Sequence, residues 1–96
     1  MRGGIENVQS DLKQIADHYG LRTQMRQLVE EMAELTQVIC KSERYDLETV
    51  RDHLVEEVAD VSIVLEQVEY LLGDNRIEQI REEKIERQIR RIDKIK

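Results

Sequence analysis

Apolar residues recur at intervals of three and four along almost the whole of this 96-residue chain. Such spacing lines apolar side chains along one face of an α-helix. The chain contains no Pro, and Gly20 and Gly73 stand where the apolar pattern stops, as residues that follow helix ends often do. The pattern predicts four helices, over residues 5–19, 21 to about 41, 47–72, and from a cap at Asp74 to about residue 95.

Short connections join these predicted helices, the longest being the polar segment 42–46. Short connections favour antiparallel neighbours. We therefore predict a single all-α domain, residues 1–96, folded as an antiparallel helical bundle of about four helices. A chain this short buries little core by itself, and 38% of its residues are charged. We expect oligomerisation to complete the helix faces.

The charge is unevenly distributed along the chain. Residues 1–75 carry 7 basic and 16 acidic side chains, whereas residues 76–96 carry 8 basic and 5 acidic ones. Duplex-binding proteins are normally basic, so we expect no nucleic-acid partner. No apolar run approaches the roughly 20 residues that cross a bilayer, and the N-terminus lacks the apolar region of a signal peptide. With the single cysteine, Cys40, these features favour a cytoplasmic protein without a membrane partner.

An acidic motif occurs twice, at Leu28–Leu35 and Leu54–Val61, with matching residue types at every position and an offset of 26. In an antiparallel hairpin, residues at the same level have position numbers with a constant sum. Glu31 and Asp60 give the sum 91, as do Glu34 and Glu57, and half of 91 is 45.5, which falls within the predicted turn at 42–46. This register is expected to bring Glu31 level with Asp60, and Glu34 level with Glu57.

Helical geometry turns these four carboxylates toward the space between the two helices. Carboxylates are rarely buried unless they are paired, and a bound divalent cation removes the repulsion among them. Because the ligands are all oxygens, Mg²⁺ is the expected ion and Mn²⁺ the alternative. Since Mg²⁺ commonly shares its coordination sphere with phosphates, the site points to a phosphate ester or anhydride.

The two copies together resemble the signature of the MazG-like, all-α nucleoside triphosphate pyrophosphohydrolases of the small bacterial and phage type. The similarity covers most of residues 16–92. The paired acidic motifs carry it, and the flanking sequence is a weaker part of it. The matching residues are Glu30-Glu31-x-x-Glu34, Glu57-x-x-Asp60, His18-Tyr19-Gly20-Leu21, Gln24 and Lys84-x-x-x-Gln88-x-x-Arg91.

The resemblance implies Mg²⁺-dependent cleavage of (d)NTP to (d)NMP and pyrophosphate, often on non-canonical nucleotides as a house-cleaning activity. It also implies a homodimer or homotetramer. By position, the metal-binding and catalytic residues of the family match Glu31, Glu34, Glu57 and Asp60. Glu30 matches the first Glu of the family motif, and we place it with the residues expected to bind the substrate.

Three more residues are candidates for binding the nucleotide. Lys84 and Arg87 lie three apart in the basic fourth helix, where cationic side chains are expected to meet a triphosphate. Gln24 lies two turns before Glu31 on nearly the same face and is a candidate for a hydrogen bond to the base or sugar. Some relatives stack the base on Trp or Phe, and this chain has neither.

Two other interpretations compete with hydrolysis. A di-iron carboxylate bundle requires Glu-x-x-His pairs, but Glu34 and Asp60 stand at the corresponding positions here. The other alternative is a non-catalytic helical oligomerisation or regulatory protein. The Ile-rich fourth helix favours it as an oligomer seam.

Overall fold

The computed structural model describes residues 4–95, including every side chain in that range except those of Ile5 and Glu6. Within this part of the chain there are four helices and no strand, which confirms the all-α prediction. Positions 1–3 and 96 of the predicted domain lie outside the described residues, as does the side chain of Ile5 on the predicted apolar face. The helices are α1 (Ile5–Tyr19), α2 (Leu21–Arg44), α3 (Leu47–Leu72) and α4 (Arg76–Ile95).

Two glycines provide turns that other residues would strain. Gly20 separates α1 from α2 with φ 86° and ψ 165°, a region that is essentially open only to glycine. Gly73 ends α3 in the left-handed conformation at φ 58° and ψ 31°, with its N–H donated to the carbonyl of Glu69. Both predicted helix ends are therefore confirmed, and each has a backbone reason.

The connection between α2 and α3 is shorter than the sequence predicts. The polar segment at residues 42–44 continues α2, where the hydroxyl of Ser42 donates to the carbonyl of Ile39 at 2.6 Å. Only Tyr45 and Asp46 join the two helices. Because polar residues can occupy the exposed face of a helix, the end of the apolar pattern did not mark the end of α2.

Asp74 caps the start of α4, as predicted. One carboxylate oxygen, Oδ1, accepts the backbone N–H of Arg76 at 3.0 Å. The same oxygen lies 2.9 Å from Nε of the Arg76 guanidinium. These hydrogen bonds from Arg76 lower the pKa of the Asp74 carboxyl.

The hydrophobic core lies where α2 packs against α3, with α1 resting on both. It is thin. The buried apolar side chains among the described residues are Leu12, Ala16, Val38, Val64 and Val68. By contrast, α4 has no buried residue, and only Ile77 near its start is half-buried. The helical pair α2–α3 is thus the framework of the molecule, whereas α4 remains almost entirely exposed.

None of the helices in the described part of the chain is long and apolar enough to cross a membrane.

Candidate metal centre

A line of polar side chains runs along the otherwise apolar contact between α2 and α3. At one end, Nε2 of Gln24 donates a hydrogen bond to Oε1 of Gln67. The two side chains are only 5% and 2% exposed, respectively. Their position numbers sum to 91, so this pair lies in the register predicted for the hairpin.

Farther along the same contact, Glu31 of α2 meets Glu57 and Asp60 of α3. Each residue offers a carboxylate oxygen, and these oxygens all lie within 4.8 Å of one another. Glu57 is buried, at 6% exposed, and the other two are half-buried. The predicted meeting of Glu31 with Asp60 is confirmed, and we call these three residues the carboxylate cluster.

Two oxygens of the carboxylate cluster are left without partners. Oε2 of Glu31 and Oε2 of Glu57 are both buried, and neither accepts a hydrogen bond. Within residues 4–95, no Lys or Arg forms an ion pair with the cluster. A buried carboxylate oxygen without a hydrogen bond is costly, so the two Oε2 atoms are suited to contact with a cation.

The cluster also has suitable chemistry and size for a hard divalent ion. Its donors are carboxylate oxygens, which Mg²⁺, Mn²⁺ and Ca²⁺ prefer. Oxygens on opposite sides of a bound ion are about 4.2 Å apart for Mg²⁺ and about 5 Å for Ca²⁺. Oxygens that all lie within 4.8 Å of one another therefore span the size of one such ion.

The other oxygen of each glutamate is contacted by a neighbour on its own helix. Nε2 of Gln27 donates to Oε1 of Glu31 at 2.8 Å. Nε2 of His53 lies 3.3 Å from Oε1 of Glu57. In both glutamates, then, Oε1 is contacted from one turn earlier in the helix, and Oε2 is the unpartnered atom.

The remaining predicted site residues lie elsewhere. Glu34, expected as the fourth cluster member, is exposed and is not part of the described cluster. Glu30 is also exposed. Gln24, expected to face a nucleotide, is instead buried against Gln67.

Lys84 and Arg87 are exposed on α4. The main helix contacts join α1, α2 and α3, and α4 takes no part in them. Within a single chain, the structure therefore does not bring these two cations onto the α2–α3 framework that carries the carboxylate cluster.

Three polar residues of α2 and α3 were not predicted as site residues: Gln27 and His53, which contact the carboxylate cluster, and Gln67, which contacts Gln24. The sequence contained a signal for each. Gln67 is the residue that the sum of 91 places opposite Gln24, while Gln27 and His53 occupy the position directly before each copy of the acidic motif. Extending the register and the repeat by a few residues would have found them.

Comparisons with protein-family models, with curated proteins and with solved structures give no match to this chain.

Proposed function

We propose that this protein is a Mg²⁺-dependent nucleotide pyrophosphohydrolase that cleaves (d)NTP to (d)NMP and pyrophosphate. The observation that carries the proposal is the pair of buried, unpartnered oxygens on Glu31 and Glu57 beside Asp60. The resemblance of the two acidic motifs to the MazG-like family supports the step from a cation site to triphosphate hydrolysis.

In this proposal, Glu31, Glu57 and Asp60 hold the cation through their oxygens. Bound Mg²⁺ neutralises charge on the phosphate oxygens and makes water a better nucleophile. Water adds to the α-phosphorus and releases a proton to the solvent, the bond from that phosphorus to the α–β bridging oxygen breaks, and pyrophosphate leaves. Exposed Glu34 remains free to orient the attacking water, because the predicted register places it level with Glu57.

A second copy of the chain is the proposed partner, and the extent of exposed surface supports it. The accessible surface of the chain is 8104 Å², whereas a compact monomer of its mass, 11.4 kDa, exposes about 5,800 Å². Obligate homodimer interfaces bury 2,000 Å² or more in total, so the excess is large enough for one. A second copy also provides another α4, from which Lys84 and Arg87 would reach a bound triphosphate.

The direct test is to incubate the pure protein with each NTP and dNTP plus Mg²⁺ and to separate the products by ion-exchange chromatography. We expect a monophosphate and pyrophosphate from at least one nucleotide. Glu57→Gln and Asp60→Asn should each lower kcat by about 100-fold or more, since removing one stabilising group from a reaction centre commonly costs that much. Glu43→Gln, an exposed change near the end of α2, should leave the rate unchanged.

Three outcomes would contradict this proposal. The first is no turnover of any nucleotide, and the second is full activity in Glu57→Gln while the helical circular dichroism is preserved. The third is release of orthophosphate in place of pyrophosphate, which would mean that a different bond is cleaved.

The competing function is a non-catalytic oligomerisation or regulatory protein. Exposed isoleucines along α4 favour it, because an unpaired apolar stripe is typical of a helix that associates with another. This alternative predicts association without turnover and without stabilisation by Mg²⁺. A cation site predicts that stability rises with Mg²⁺ concentration, by about 2.7 kcal/mol at 100 times the dissociation constant.

A further inference from the structure

The repeated motif is longer than its acidic residues alone indicate. The offset of 26 that relates the two copies also relates Gln27 to His53, one residue before each copy begins. Both side chains carry an N–H donor, and each stands four residues before a glutamate of the carboxylate cluster. The two positions are therefore equivalent in the repeat, and the same number of residues separates each from a glutamate of the carboxylate cluster.

The contacts at these two positions involve the same glutamate oxygen, one as a hydrogen bond and the other as a longer charge contact. Nε2 of Gln27 donates to Oε1 of Glu31 at 2.8 Å, and Nε2 of His53 lies 3.3 Å from Oε1 of Glu57. In both cases Oε2 is the oxygen that is buried without a partner. Two different residue types thus meet the same atom of two equivalent glutamates.

This arrangement restricts how each glutamate can turn. A Glu side chain has three rotatable bonds, and burial alone leaves the carboxylate free to exchange its two oxygens. A donor that engages Oε1 from one turn earlier fixes the carboxylate plane and selects Oε2 as the free oxygen. Donors that orient ligands in this way commonly change metal affinity by about 10- to 100-fold.

We propose that Gln27 and His53 are paired positioning residues that hold Oε1 of Glu31 and Oε1 of Glu57, so that both Oε2 atoms are directed at one divalent cation. This inference rests on the cation site of the proposed function. It adds that each copy of the motif, together with the residue directly before it, supplies both a ligand and the donor that orients that ligand. Neither Gln27 nor His53 contacts the cation itself.

A merely structural role makes a different prediction. Side chains four apart on a helix stabilise that helix whether or not a cation is bound. If Gln27 and His53 act only in this way, replacing them changes the stability of the metal-free protein and leaves the affinity for the cation unaltered. The affinity therefore distinguishes the two roles.

The experiment measures the dissociation constant of Mn²⁺ for the full chain, from the electron paramagnetic resonance signal of the free ion. We expect Gln27→Leu and His53→Leu each to weaken binding by about 10-fold or more. The exchanges His53→Gln and Gln27→His keep an N–H donor in place and should retain most of the affinity. Gln37→Leu, an exposed change on α2, is the matched control and should bind as the unaltered chain does.

Circular dichroism at each titration point establishes that the variants are folded, and Gln27→Ala and His53→Ala replace any leucine variant that is not. If the unaltered chain and Glu57→Gln bind Mn²⁺ equally poorly, the cation site of the proposed function is wrong. If the unaltered chain binds, Glu57→Gln does not, and both leucine variants bind like Gln37→Leu, the site stands and the positioning role is overturned.

Discussion

The buried amide pair of Gln24 and Gln67 is the most enclosed polar contact between α2 and α3. Each amide has both donors and acceptors, and in this environment each finds its partner in the other. Replacing one of them leaves a polar group buried and unpaired, whereas replacing both leaves two apolar side chains that pack. The pair is therefore expected to behave as a unit.

We predict that Gln24→Leu and Gln67→Leu each lower the free energy of unfolding by about 1–3 kcal/mol. The double variant should lose clearly less than the two single losses combined, because no amide is then left unpaired. Urea unfolding at fixed protein concentration measures all three. Additive losses would mean that the two amides do not stabilise each other.

The same double variant tests the expectation that Gln24 binds the nucleotide. If circular dichroism shows that its fold is preserved, a raised KM with unchanged kcat would indicate a lost contact to base or sugar. An unchanged KM would limit Gln24 to the helix contact seen here.

For single residues, the sequence predicted which positions of α2 and α3 lie opposite each other along the hairpin better than it predicted which side chains face inward. The constant sum correctly placed Glu31 beside Asp60, because the level depends only on the length of the chain between them. Whether a side chain faces inward depends on its angle around the helix, at about 100° per residue. Glu34 lies near the edge of the apolar stripe, where a small rotation of the helix decides its exposure, and the structure leaves it outside the cluster.

The helix boundaries were likewise predicted correctly at some positions and wrongly at another. Those set by backbone conformation, at Gly20 and Gly73, were predicted correctly because few residues other than glycine adopt these angles. The end of α2 was placed about three residues too early. The apolar pattern reports which face is buried, and it misses the last turn of α2 because residues 43 and 44 are exposed.

At the level of whole helices, a hydrogen bond between Tyr70 and Asp17 ties α3 to α1. The Tyr70 hydroxyl donates to Oδ2 of Asp17 at 2.9 Å, and Nζ of Lys13 lies 5.7 Å from the centre of the Tyr70 ring. The bond to the Asp17 carboxylate, with smaller contributions from desolvation and from the negative charge of Asp17, raises the pKa of Tyr70. The folded state therefore holds this proton more tightly than the unfolded state does.

A raised pKa in the folded state gives stability that is fully present below the pKa of the unfolded tyrosine, about 10. That stability is lost as the pH rises through the higher folded value. We predict that Tyr70→Phe is less stable than the unaltered chain at pH 8, and that the difference shrinks by pH 11. Urea unfolding at the two pH values measures this.

Tyr45→Phe is the control, because Tyr45 lies exposed between α2 and α3 and its hydroxyl has no hydrogen bond among the described contacts. Its effect on stability should not follow the same trend. If the difference for Tyr70→Phe stays constant between pH 8 and pH 11, the bond to Asp17 does not contribute to stability in solution.

For the molecule as a whole, both the radius of gyration and the exposed apolar surface of α4 favour association with a second copy. The radius of gyration is 16.7 Å, whereas a compact domain of 96 residues has about 12.5 Å. Helix α4 has no buried residue and takes no part in the main helix contacts. Its exposed isoleucines are between 47% and 86% accessible; they are Ile80, Ile85, Ile89, Ile92 and Ile95.

Exposed isoleucines of this kind are unfavourable in water, at roughly 25 cal/mol for each Å² of apolar surface. A second copy of the chain that covers α4 would remove much of this cost. Because folding and association are then linked, the stability of the protein depends on its concentration. A monomer with the same fold would show no such dependence.

We therefore predict that the melting temperature rises with protein concentration, and that sedimentation equilibrium gives a mass of at least twice the chain mass of 11.4 kDa. Ile89→Lys, in the middle of the exposed stripe, should weaken association by about 10-fold or more, since a buried unpaired charge costs several kcal/mol. Gln79→Lys adds the same charge at an exposed polar position of α4 and should not. If the unaltered chain and both variants sediment at the same mass, well above 11.4 kDa, α4 is not the interface; if the unaltered chain sediments at 11.4 kDa, the predicted association is wrong.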